Sequence, residues 1–188
     1  TIASGNASMS MGTGTTASGF SSTSMGYNTI ASASNSVAMG EGSIASGSYS
    51  TVMGFYTTAS GTAAISMGSN TTASGVASFS MGNGTTASGY ASVSMGDNSI
   101  AKSAFSLVIG TYNDSTNTNR LFEIGNGTAS NARSNALTVL TNGYVGIGST
   151  NPTKQTEIIG PASATPVTLV IGNRGGFGPA AMEFVSDY

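Results

Sequence analysis

The chain has no cysteine, no histidine and no tryptophan, only four prolines among 188 residues, and charged side chains at 6% of its positions. Each absence closes off a class of chemistry. Without cysteine there are no disulfides and no thiolate metal sites. Without histidine a Ser-His-Asp triad cannot be assembled from any of the many serines. A net charge of −2 supplies neither a basic patch for nucleic acid nor a basic amphipathic segment for direct membrane contact. No apolar run approaches the roughly 18 residues of a membrane-spanning helix, and no signal peptide opens the chain. Thr1 begins inside a repeat and Tyr188 closes no recognisable element, so the sequence reads as a segment of a longer protein. The apolar fraction, 38%, is spread over small residues, which argues against a thick globular core.

What is present is a period. Gly12, Gly26, Gly40, Gly54, Gly68, Gly82, Gly96 and Gly110 recur every 14 residues without a slip. A second series, Gly5, Gly19, Gly47, Gly61, Gly75 and Gly89, runs halfway between them, with Ala33 and Ser103 filling its gaps. Each turn is therefore two half-turns of seven residues, each a short strand followed by a corner glycine. A helix would carry a glycine every seven residues at about 1 kcal/mol each, which disfavours it.

In an extended chain side chains alternate between faces, and the columns obey that rule. Met11, Met25, Met39, Met53, Met67, Met81 and Met95 form one file, continued by Ile109. Two residues earlier stands a mostly apolar file: Met9, Thr23, Val37, Thr51, Ile65, Phe79, Val93 and Leu107. The alternate face of that strand admits almost only small groups, such as Ser8, Ser24, Ala38 and Ser66. The other half-turn carries an unbroken alanine file from Ala3 to Ala101, with a hydroxyl two residues before each alanine. Two small-residue files that face each other form the lumen of a flattened parallel β-solenoid, about 4.8 Å per turn and roughly 38 Å over eight turns. The Met file must then point outward. Burying each Met contributes roughly 1.5 to 3 kcal/mol, or on the order of 10 to 20 kcal/mol for the file, against about 0.8 for a lumen methyl. Association along this stripe is expected to stabilise the coil more than its interior does.

The segment "NSVAMG", Asn35 to Gly40, set among "ASG" and "SMG" boxes at seven-residue spacing, resembles the head repeat of the trimeric autotransporter adhesins, the YadA-like family, whose hallmark box is NSVAIG. The resemblance spans residues 1–110. It implies an all-β, left-handed parallel β-roll, three copies side by side, with the Val and Ile positions of the box at the threefold axis. Here those positions are Val37 and Met39, with Met11, Met25, Met53, Ile65, Met67, Phe79, Met81, Val93, Met95, Leu107 and Ile109 as column mates. Methionine replaces the family's isoleucine.

Composition shifts after Gly110: residues 1–110 hold three charged side chains (Glu41, Asp97, Lys102) and residues 111–188 hold nine. The expected organisation is a β-roll head of eight 14-residue repeats over 1–110, a connector over 111–150 and a strand-rich segment over 151–188. "LFEIGNG" reads as a strand, and the strands around Asn142-Gly143 as a hairpin with a two-residue turn. "PVTLVIGN" and "AAMEFVSDY" are further strand candidates. The passage from Leu121 to Pro152 is similar to connectors of bacterial surface fibres and phage-type tail fibres.

Catalytic, cofactor and metal sites are not expected. Lys102 beside Ser103 and Ser106 is read as a solvated edge charge and not as half of a Ser-Lys dyad; "GTGTTASG" and "GYVGIG" lack the Lys and following helix of a phosphate loop. Glu41, Asp97 and Asp114 are isolated, leaving a single calcium at Asn113-Asp114 as the one metal alternative. The aromatics Phe20, Tyr27, Tyr49, Phe55, Tyr56 and Tyr90 sit at turns, covering the corners or meeting a host protein or glycan.

The expected function is an extracellular, bacterial cell-surface structural and adhesive fibre module. It would be a homotrimer that, with no cap preceding Thr1, joins end to end into a filament. The alternatives are a receptor-binding tail-fibre segment of a phage-like particle and an ice-binding solenoid. The last is disfavoured because Ile30, Ile44 and Ile100 interrupt the outward Thr file.

Overall fold

The computed structural model describes residues 1–160. The strand candidates at 166–173 and 180–188 lie outside the described residues. Each turn contributes a two-residue and a five-residue strand: β1 (Ile2–Ala3) and β2 (Met9–Thr13), β3 (Thr16–Ala17) and β4 (Thr23–Tyr27), β5 (Ile30–Ala31) and β6 (Val37–Glu41), β7 (Ile44–Ala45) and β8 (Thr51–Phe55), β9 (Thr58–Ala59) and β10 (Ile65–Ser69), β11 (Thr72–Ala73) and β12 (Phe79–Asn83), β13 (Thr86–Ala87) and β14 (Val93–Asp97), β15 (Ile100–Ala101) and β16 (Leu107–Thr111). Four more strands follow: β17 (Arg120–Asn126), β18 (Asn135–Leu140), β19 (Val145–Ile147) and β20 (Thr156–Ile158). The described residues form an all-β solenoid without a helix.

The short strands stack into an eight-stranded parallel sheet and the long ones into a second sheet. Register is fixed at 14 residues, so that Met39 pairs with Met53 and Met53 with Met67, and Ala45 with Ala59. The lumen between the sheets is filled by small side chains from both. Ala17, Ala31, Ala45, Ala59, Ala73, Ala87 and Ala101 are wholly buried, as are Ala38, Val52 and Val108 opposite them.

Buried hydroxyls need partners, at about 1 to 3 kcal/mol for each one left without. Many find them in pairs, while Ser36, Ser78, Ser92 and Ser106 donate to the carbonyl three residues back and Ser22 and Ser50 have no partner. Ser24 with Thr29, Ser66 with Thr71, Ser80 with Thr85 and Ser94 with Ser99 share hydrogen bonds of 2.8 Å at the edge of the lumen. Where Ala38 and Val52 remove the strand-borne hydroxyl, the pairing turns along the axis. Ser43 Oγ donates to the Gly54 carbonyl at 3.0 Å and Thr57 Oγ1 donates to Ser43 Oγ at 2.9 Å.

The periodic glycines Gly12 to Gly110 are not the corners alone. Each is the fourth residue of its five-residue strand, with φ between +98° and +137°, a region reserved for glycine. At Gly68 a methyl group would land on the Gly82 carbonyl oxygen of the next turn. The reversals themselves fall on two further files in the left-handed conformation. One runs Ala7, Ser21, Asn35, Tyr49, Ala63, Ala77, Ala91 and Phe105; the other contains Asn28, Tyr56, Asn70, Asn98 and Tyr112, with Gly14, Gly42 and Gly84. Each left-handed residue costs about 1 kcal/mol or more when it is not glycine. The ladder offsets this strain by continuing through the corner: the Ala63 amide donates to the Ser48 carbonyl at 2.8 Å and Asn70 to Phe55 at 2.8 Å.

The expected two-residue hairpin is corrected. Four residues, 141 to 144, separate β18 from β19, and the Leu140 amide, donating to the Tyr144 carbonyl at 2.8 Å, closes a loop of three, 141 to 143. Gly143 alone adopts positive φ, at +86°, which closes a turn with its own amide on the Leu140 carbonyl at 3.0 Å.

These two glycine-like environments are separable. Gly68→Ala should lower the unfolding free energy by about 2 to 4 kcal/mol, whereas Ala77→Gly, at φ 55°, should be neutral or stabilising by up to about 1 kcal/mol. Urea melts of the two variants check the opposite signs.

Candidate assembly interface

The outer face of the long-strand sheet carries the site. Along each five-residue strand the first and third residues point away from the lumen, because the second is buried against alanine. Thus Val52 is fully buried between Thr51 and Met53, and Met53 is 38% exposed. Register then places Met11, Met25, Met39, Met53, Met67, Met81, Met95 and Ile109 in one straight outward file. Val37, Ile65, Phe79, Val93 and Leu107 share the adjacent file. All are exposed or half-buried in the single chain. This is a two-file apolar ribbon with no charged member, of a size that soluble monomers seldom leave in water.

The ribbon does not end at Gly110. After a loop, β17 joins β16 in parallel, pairing Leu107 with Phe122, Ile109 with Ile124 and Gly110 with Gly125. Sequence reasoning missed this rung because the offset is 15 residues where every earlier one is 14. The signal was nonetheless there: Phe122-Glu123-Ile124-Gly125-Asn126 matches Phe79-Ser80-Met81-Gly82-Asn83 at every position except the second and third. The sheet thus crosses the compositional boundary unbroken and runs on through β18, β19 and β20.

Beneath this continuation the lumen changes character from hydroxyl to charge. Asn113 occupies the next position of the hydroxyl file, and its carboxamide imitates a peptide group. Its Oδ1 accepts the Ile100 amide at 2.7 Å and its Nδ2 donates to the Ile100 carbonyl at 3.0 Å. The carboxamide thereby takes the place of the next rung beside β15. Arg120, fully buried, donates Nη1 to Glu123 at 3.0 Å and Nη2 to Asp114 at 2.9 Å, and also reaches the Asp114 carbonyl and, at 2.8 Å, the Thr150 carbonyl. Glu123 Oε2 also accepts from Asn135 at 2.7 Å and from Asn113 at 3.2 Å. A buried charge pair is tolerable only when its other polar atoms are also bonded, and here nearly all are. Sequence gave no warning of this cluster, since its members are scattered over residues 113–150.

The remaining candidates resolve geometrically. Ser103 is buried, and its Oγ accepts the Arg120 amide at 3.1 Å, while Lys102 faces solvent, so the two side chains do not form a dyad. At Asn113-Asp114 the ligating oxygens are engaged by Arg120, the Thr116 amide and Ile100. Among the described residues no cluster of acidic side chains is arranged to hold a metal, and no helix is long and apolar enough to cross a membrane. Tyr49 and Phe105 occupy left-handed corners and remain mostly exposed; Tyr90 and Phe105 stack edge to face, 5.3 Å between centroids.

The model of the YadA head domain repeat matches residues 3–29, 17–40, 31–57, 59–85 and 87–113, more than half of the chain. The chain belongs to the YadA head repeat family. Modules of this family are structural repeats of adhesin type, the heads of trimeric autotransporters at bacterial surfaces. A search of curated proteins gave no significant match. The match ends at residue 113, where the regular YadA-type turns give way to the charged plug and β17.

That plug confers a pH dependence. Burial opposes ionisation of Asp114, but hydrogen bonds from Arg120 and Thr116 and the Arg120 charge outweigh it and hold the carboxyl below its ordinary value. Glu157 is lowered as well, by hydrogen bonds from the Ser149 hydroxyl and from Thr153. Depressed carboxylates contribute stability that is complete above their unfolded values, about pH 4, and lost as pH falls through the lower folded values. Hydrogen exchange on acid titration should therefore show the Arg120 and Asp114 amides losing protection before those of the YadA-type turns, such as Ala63. Simultaneous loss would remove the plug's special role.

Proposed function

We propose that this chain is an extracellular structural and adhesive fibre module of the bacterial cell surface, assembling as a homotrimer along the ribbon formed by Met11, Met25, Val37, Met39, Met53, Ile65, Met67, Phe79, Met81, Val93, Met95, Leu107 and Ile109. The observation that carries this reading is the inverted packing: small hydroxyls and alanines fill the lumen while the largest apolar side chains face out. Family membership supports self-association and a surface location. In this reading rigidity comes from the in-register stack. The corner aromatics Phe20, Tyr49, Tyr90 and Phe105, each more than half exposed, supply contact with a host protein or glycan.

The test is mass in solution. Sedimentation equilibrium of the full chain should return three times the 18.5 kDa protomer, and a stable 18.5 kDa species would overturn the reading. Replacing Met53 and Met81 by Lys would place charge in the interface at about 3 to 5 kcal/mol per buried site, so the double variant should sediment as protomer while keeping its β-sheet circular dichroism. A double variant that remained trimeric would also refute the assignment.

A further inference from the structure

The connector strands carry a polarity opposite to that of an exposed sheet. Their inner residues are mostly polar and buried: Glu123, Asn135 and Thr138 are each at most 3% exposed, beside the apolar Leu140. Their outer residues are apolar and open, with Ile147 46% and Ile158 38% exposed and Phe122, Ile124, Leu137 and Val139 half-buried. Burying charge inside while leaving isoleucine in water is unfavourable on both counts for a lone chain. It is the arrangement of a surface that is covered in the working molecule.

Register identifies the cover. Met95 pairs with Ile109, Ile109 with Ile124, Ile124 with Leu137, Leu137 with Ile147 and Ile147 with Ile158, one file without a break. The neighbouring file runs Val93, Leu107, Phe122, Val139 and Val145. Four strands at about 4.8 Å lengthen the ribbon by roughly 19 Å. Copies that meet along the roll bring these strands opposite one another, since both lie on one hydrogen-bonded sheet.

We infer that the outer face of residues 120–158 is an interaction surface for further copies of this same chain, so that head and connector assemble as one continuous body with no flexible joint at residue 110. The inference rests on the trimer reading above. It extends the contact region beyond the roll, through Phe122, Ile124, Leu137, Val139, Ile147 and Ile158.

The chain's lack of cysteine makes cross-linking decisive. Single variants Met67→Cys in the roll and Ile147→Cys in the connector, with Ser46→Cys on the opposite sheet as a collision control, are treated with a short bis-maleimide. Both interface variants should give a covalent species of at least two chains in severalfold excess over the control. Cross-linking at Met67→Cys alone would overturn the connector surface and leave the trimer standing. Failure at both positions would overturn the trimer reading and this inference together. Ile158→Cys, also on an exposed side chain, repeats the connector measurement should Ile147→Cys perturb its short strand.

Discussion

The narrow lumen governs this molecule. In the coil, strands only two and five residues long enclose a space filled by methyls and hydroxyls, with Val52 and Val108 its largest apolar members. Because inward volume is limited, the larger apolar side chains of the coil go outward, Val52 and Val108 excepted, and the coil holds its own interior with alanine contacts and hydroxyl pairs that each contribute modestly. Most of the burial energy latent in the sequence is therefore on the outside, where a neighbour can realise it.

Uniform stacking has a second consequence, which is that strain repeats as faithfully as pairing does. Non-glycine residues occupy left-handed corners at thirteen positions, including alanines, tyrosines and a phenylalanine. A single such corner would be an oddity. Here all but Ala7, in the first turn, are held by an amide hydrogen bond to the preceding turn, so relaxing one would break the ladder on both sides of it. The coil tolerates aromatic residues there because the corner side chain projects into solvent and meets no lumen constraint.

The transition at residues 113–126 solves the problem of ending a parallel solenoid. An open sheet edge would leave donors and acceptors for any passing strand. Asn113 answers with a side-chain amide in place of the next short rung, and β17 extends the long sheet over a buried Arg120–Glu123–Asp114 plug. Charge, excluded from the lumen of the coil, is used where specificity of register matters more than stability. The outer apolar file meanwhile passes over the plug without a break.

The sequence by itself determined the period, the strand alternation, the identity of the lumen files and the outward stripe, because each follows from side-chain size and a face repeat of two. It also carried the family, through the Asn35–Gly40 box. The corner conformation, by contrast, could not be read at Ala63 or Tyr49, since nothing in those residue types favours positive φ; only the ladder across turns imposes it. The three-residue loop at 141–143 was misjudged because Asn142-Gly143 suits either turn, and the flanking pairing chose between them. The plug beneath β17 was decided by tertiary structure alone, whereas the rung itself left a trace in the Phe122–Asn126 repeat that the broken period obscured. One added residue broke the period, and the contacts of Arg120 join groups up to 30 positions apart, a separation at which local sequence carries no geometric information.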